Sequence, residues 1–150
     1  MKTQFWGVAV GIAAIFTGSA SAQGHDSPPE GDSSLACVER LQVPTYPVIA
    51  RAARIEGSVT ASVFLSSEAS VQRIQSRIVS TLDKAKSLLA EPVENAIRAA
   101  SFRPDCRNKT LTIIFNFSIV GQASDYPKQS VSFGYPNKFW ITTEPHTPQP

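Results

Sequence analysis

Thr110-Leu111-Thr112-Ile113-Ile114-Phe115-Asn116-Phe117-Ser118-Ile119-Val120 is the stretch on which the fold turns. Leu111, Ile113, Phe115, Phe117 and Ile119 alternate with mostly polar partners, broken only by Ile114, and no Pro or Gly interrupts the run. A period of two puts one set of side chains on one face, so the stretch predicts a half-buried strand. Working back along the chain, Val59, Ala61, Val63 and Leu65 show the same alternation after Gly57. Ser66 to Ser70 reads as a turn. Val71 to Val79 reads as a second strand, with Ile74 and Ile78 on one face and Arg73, Gln75 and Arg77 on the other, which makes an antiparallel hairpin.

Two helical stretches accompany these strands. Pro47 suits a first helical position and Gly57 a stop, with Ile49, Ala52 and Ala53 as a short apolar face and Arg51 and Arg54 turned away. The clearer helix carries Leu89, Val93, Ala96, Ile97 and Ala100 as one stripe. Pro92 is expected in its first turn, because deeper inside it would cost a backbone bond. Pro104 ends the segment, and Phe102 is expected to plug the core. Val131–Tyr135 and Phe139–Thr142 predict a further strand or hairpin turned at Pro136-Asn137.

Helix, strand, strand, helix, strand, then an extra strand or hairpin, spells an α+β domain: a small antiparallel sheet with two helices packed on one face. About 80 residues suffice for such a layer pair. The predicted organisation is residues 1–22 as a signal peptide, 23–42 as a flexible lead-in, 43–121 as the domain, 122–143 as a C-terminal strand extension and 144–150 as a disordered tail.

The leader rests on its layout. Lys2 precedes an apolar run from Phe5 to Phe16, and Ala20-Ser21-Ala22 offers a cleavage site before Gln23. The alternative, an uncleaved membrane anchor, has an apolar core short of the roughly 20 residues that span a bilayer. Removing Lys2 leaves 13 basic against 12 acidic side chains, too balanced for an electrostatic grip on nucleic acid. Export to an oxidising compartment also sets the redox context, in which the pair Cys37 and Cys106 is expected to form a disulfide, two buried free thiols being the alternative.

Chemistry is sparse. His25 and His146 are placed in the flexible ends, so no ordered general base is expected. Glu91 and Glu94 read as solvent-facing residues beside Arg98. No Ser/His/Asp or Cys/His set can be assembled, there is no phosphate loop, and no metal or cofactor is expected. An enzyme is not the expectation. A small sheet does have edges, and an exposed edge is either blunted or used for strand addition.

Pro44-Thr45-Tyr46-Pro47, Ala50-Arg51 and Arg54-Ile55-Glu56-Gly57-Ser58-Val59 resemble the opening of the TonB C-terminal domain family. Asn95-Ala96-Ile97-Arg98 and Phe102-Arg103-Pro104 resemble that family's second helix and its aromatic-x-Pro exit. Where many members carry Gln before the first motif, this chain has Val43. The resemblance implies a module that pairs along a sheet edge with a short receptor segment, the TonB box, of an outer-membrane transporter or another envelope protein. Carried onto this chain, the implied contacts are Val43, Pro44, Thr45 and Tyr46, with Thr110, Thr112, Ile114, Asn116 and Ser118 of the long strand. Two other outcomes stay open. The chain's own C-terminal strand closes that edge and leaves a structural or assembly module with no transport role, or two copies pair through a sheet edge. A membrane is implicated only if the leader stays uncleaved.

Overall fold

The computed structural model describes residues 34–134 and 136–147. The leader with its cleavage site, residues 23–33 of the lead-in, His25 and residues 148–150 lie outside the described residues. Among those described, no helix is long and apolar enough to cross a membrane.

A 3-10 turn at Ser34–Cys37 leads into β1 (Val38–Arg40), followed by α1 (Val48–Ala52), β2 (Gly57–Leu65) and β3 (Val71–Ser80). A second 3-10 turn, Asp83–Ala85, runs into α2 (Lys86–Arg98), then come β4 (Ser101–Phe102), β5 (Thr110–Ile119), β6 (Gln129–Gly134) and β7 (Lys138–Thr143). Five strands form one sheet in the order β3-β2-β5-β7-β6, and β1 pairs with β4 in a separate two-stranded ribbon. The fold is α+β with extra C-terminal strands. β2 pairs antiparallel with both β3 and β5, with Val59 opposite Ile78 and Phe115. β7 adds to β5 in parallel, Ile114 opposite Lys138 through Ile119 opposite Thr143, and β6 returns antiparallel to β7.

The core lies between the sheet and α2, which packs across β2 and β3. The alternation of β2 and β5 is realised as drawn from the sequence: Val59, Ala61, Val63, Leu65, Leu111, Ile113, Phe115 and Phe117 are buried. Leu89, Val93 and Ile97 meet them from α2. Burying such a side chain stabilises the fold by about 1.5–3 kcal/mol. Ile141 of β7 joins the same cluster, so the C-terminal hairpin shares the domain's core. Phe102 is buried against it, as expected.

Several local expectations give way to packing. Pro92 sits seven residues into α2, beyond the first turn. Its missing N–H forgoes a bond to Leu88, and the buried stripe on either side holds the helix together through that loss. In α1 the buried residue is Ala50; Ile49 is 67% exposed and Ala52 and Ala53 are exposed too. The helix is a single turn, too short for a stripe, and Arg51 is half-buried rather than turned away. Gly57 is no helix stop: α1 ends at Ala52, and Arg54 takes the left-handed conformation (φ 53°). Gly57 opens β2, where a Cβ would collide with the Val79 carbonyl and lie 2.9 Å from Ser80 Cα. Ala69 (φ 60°) fills the left-handed place in the β2–β3 turn, with Ser66 Oγ accepting from Glu68 N and Ser70 N. Glu94 does not simply face solvent: it accepts from Ser76 Oγ at 2.7 Å, while Arg98 stands 3.9 Å from its carboxylate.

Both ends of the described chain are also tied down. The segment read as a flexible lead-in carries the 3-10 turn and β1 in its last part, held by the Cys37–Cys106 disulfide and by Arg103 N donating to Cys37 O. With the two cysteines 69 positions apart in sequence, closure of so long a loop is worth about 4 kcal/mol in the chain-entropy view. At the other end, Ser124 N donates to Pro145 O and Thr147 N to Ser124 O. His146 is therefore half-buried on a short bridge to Ser124, not in a free tail.

Candidate functional site

The residues that the family resemblance singles out fall into two groups. Val43 to Tyr46 run extended before α1, with Pro44 and Tyr46 buried, Val43 half-buried and Thr45 exposed. Tyr46 is only 1% exposed. Its hydroxyl donates to Ile55 O at 2.6 Å, and its ring meets Phe117 edge-on at 5.4 Å. Burial first, and the nearby Glu56 carboxylate second, push its phenol well above the ordinary tyrosine value. Tyr46 N donates to Gln129 Oε1 at 2.6 Å, which brings β6 alongside this segment.

The second group lies on β5. Lys109 O accepts from Leu65 N, so odd-numbered residues of β5 turn their backbone to β2 and even-numbered ones to the outer edge. Thr112, Ile114, Asn116 and Ser118 therefore present that edge, and Thr110 shares their parity. In the structure β7 lies along it from Ile114 to Ile119. Thr110 precedes the first paired position. The side chains of this group sit on the sheet face opposite Tyr46, so the two groups do not form one side-chain surface.

Three residues that sequence reasoning passed over hold β5 and the strands beyond it in place. Asn137, read only as a turn residue, accepts from Ile114 N at 2.9 Å through its carbonyl and donates from Nδ2 to Thr112 O at 3.0 Å. It thus stitches the start of β7 to β5. Gln129 links β6 to Tyr46, and the Glu56 carboxylate accepts from Ile119 N, closing the far end of β5. Nothing in a single sequence marks these roles, because each partner lies more than 20 residues away. Across the open face, Asn116 Nδ2 donates to Phe139 O at 3.4 Å and Ser118 Oγ lies 3.2 Å from Thr142 Oγ1.

A groove of about 400 Å³ runs between Thr45–Val48 and the Leu88, Glu91, Pro92 and Asn95 face of α2. A second depression of about 370 Å³ lies where Val120, Lys128–Ser130 and Thr142–Glu144 meet. Among the described residues, no cluster of three His, Cys, Asp or Glu could hold a metal ion.

A family model described as the Gram-negative bacterial TonB protein C-terminal matches residues 42–119, just over half of the 150-residue chain. The chain belongs to this family. The match ends at the last residue of β5, so β6 and β7 lie beyond the matched residues. The family is a non-catalytic protein-interaction domain of the envelope whose members interact with outer-membrane transporters. No curated protein and no solved structure matches the chain.

Proposed function

We propose that this protein is a periplasmic TonB-like binding module, released from its leader after Ala22, which captures an extended peptide of an outer-membrane transporter or another envelope protein by β-strand addition. The observation that carries the reading is the outer edge of β5. It accepts a strand from this chain itself, with six successive registered positions against β7. An edge that accepts one extended segment in parallel has the donors and acceptors to accept another. A partner peptide would take the place of β7 along Thr112, Ile114, Asn116 and Ser118. Val43, Pro44, Thr45 and Tyr46 would flank it through their contact with β6. This links the module to TonB-dependent transport. The test is a titration of the protein with TonB-box peptides, followed by backbone chemical shifts and amide exchange. Shift changes at 110–120 with faster exchange in β7 are expected; an unchanged spectrum sinks the reading.

A second reading has its own observation. Asn137 bridges β5 through both its backbone and its side chain, and Ile141 is fully buried. Under this reading the C-terminal strand closes the edge for good, and the protein is a structural or assembly module with no transport role. Ending the chain after Gly121 separates the two: permanent closure predicts that only the shortened chain binds peptide or pairs with a second copy.

A further inference from the structure

Among the described residues the sheet ends on β6, a strand whose one strand partner is β7, with the Gln129 side chain at its start tied to Tyr46 N. Gln129-Ser130-Val131-Ser132-Phe133-Gly134 contains no charge and no proline, the two commonest means of blunting an edge. Backbone direction follows from one bond. Glu144 N donates to Lys128 O at 3.2 Å, which marks that pair as hydrogen-bonded in the antiparallel ladder of β6 and β7. Alternation then turns the backbone of Ser130, Ser132 and Gly134 toward β7, and that of Gln129, Val131 and Phe133 outward.

The side chains at this edge form rows that stop short. Phe115 stacks on Phe139 at 5.3 Å and Phe139 meets Phe133 at 5.5 Å, an aromatic row crossing β5, β7 and β6 on the helix face. The row ends at Phe133, 53% exposed, with Val131 beside it at 44%. On the opposite face the Trp140 ring lies over Gly134, where a Cβ would collide with it, and stays 39% exposed.

We infer that the outer edge of β6 is a second strand-accepting surface, and that its occupant is an extended, uncharged peptide segment with branched or aromatic side chains at alternate positions. The inference rests on the strand-addition reading above but needs no displacement of β7. Edge-facing N–H and C=O groups at Gln129, Val131 and Phe133 would pair with the peptide backbone. Its apolar side chains would extend the row beyond Phe133. A second copy of the chain fits less well. Antiparallel self-pairing centred on Val131 sets Lys128 of each copy opposite Gly134 of the other, beside Lys138; among the described residues neither ammonium joins a salt bridge, the Glu144 carboxylate accepting from the Lys128 backbone N–H instead. A six-residue edge also falls far below the roughly 1,000 Å² that a stable dimer buries.

The test uses the full chain carrying Trp6→Phe, so that Trp140 is its sole tryptophan. The probe is a capped heptapeptide alternating Thr with Val, Phe and Val. Its control has the same composition with the apolar residues contiguous. The expected result is a saturable blue shift of Trp140 emission with the alternating peptide only, weakened at least tenfold by Val131→Pro. That substitution removes an edge-facing N–H and leaves the β6–β7 bonds in place; Phe133→Lys serves as a second edge variant, and near-ultraviolet circular dichroism checks that both fold. A red shift with faster exchange in β7 means that the peptide has replaced β7 on β5; the β6 inference then falls and the strand-addition reading stands. Binding of TonB-box peptides alone, with no response to the heptapeptide, overturns the β6 inference in the same way. No response to either peptide overturns both. Dimerisation of the protein alone, abolished by Val131→Pro, makes the edge a self-interface and overturns the choice of occupant.

Discussion

Replacing Tyr46 by Phe removes one oxygen and leaves the ring, its burial and its edge-on contact with Phe117 in place. What is lost is the 2.6 Å bond to the Ile55 carbonyl, which holds the chain after α1 against the segment before it. A buried carbonyl deprived of its donor costs about 1–3 kcal/mol, and that is the expected loss at neutral pH. The hydroxyl also carries a pH signature. In the unfolded chain a tyrosine titrates near pH 10; in the fold, burial and the Glu56 carboxylate hold the proton on to higher pH. Below about pH 10 both states keep the proton, so the stabilisation is fully present. Above it the unfolded state alone releases the proton, and stability falls by up to about 1.4 kcal/mol per pH unit until the folded phenol titrates. Tyr46→Phe lacks this term, so the gap between wild type and variant should shrink as the pH rises above about 10. Urea unfolding of both proteins at about pH 8 and about pH 11 measures it, other groups cancelling in the difference. A variant within about 0.5 kcal/mol of wild type at neutral pH, or a gap that does not change with pH, would refute the reasoning.

Gly57→Ala should lower stability by about 1–3 kcal/mol in thermal unfolding, because the new methyl group meets the backbone of Val79 and Ser80 rather than a side chain that can swing aside. Ile141→Ala should cost about 2–5 kcal/mol in urea unfolding, as for any fully buried core residue; a near-neutral result would mean that the C-terminal hairpin is an appendage to the core. Reducing the Cys37–Cys106 bridge should cost about 2–5 kcal/mol, read as a lower unfolding midpoint with reductant than without.

Much of the fold was legible in the chain. The alternation in β2 and β5 and the stripe in α2 report which side faces the core, because a buried face must be apolar whatever covers it. The misread residues share one cause. Gly57, Pro92 and Ile49 each follow a local rule in the sequence, and each obeys a non-local contact in the structure. Gly57 answers to the Val79 backbone across the hairpin, Pro92 to the packing on either side of it, and Ile49 to a one-turn helix that no other described residue covers on that side. The candidate site was legible as a strand and only partly as an edge. Thr112, Asn116 and Ser118 were placed on β5 by alternation, with Ile114 as its one break, and were named as contacts by the family resemblance, whereas the roles of Asn137, Gln129 and Glu56 became visible only through partners distant in sequence.

By itself the sequence indicated the two helices, the strands β2, β3 and β5, the α+β class and the expected pairing of the two cysteines, all of which depend on residue spacing or on simple counting, while its motifs carried the family resemblance. It could not say where the C-terminal hairpin goes, since a strand's alternation names its buried face and not its neighbour. That β7 joins β5 in parallel, that Asn137 pins it there, and that β6 is left as the open edge were decided by tertiary structure. Backbone hydrogen bonds between strands read no side chain, so the choice of partner strand is settled by which arrangement buries Ile141 and Phe139 against Phe115.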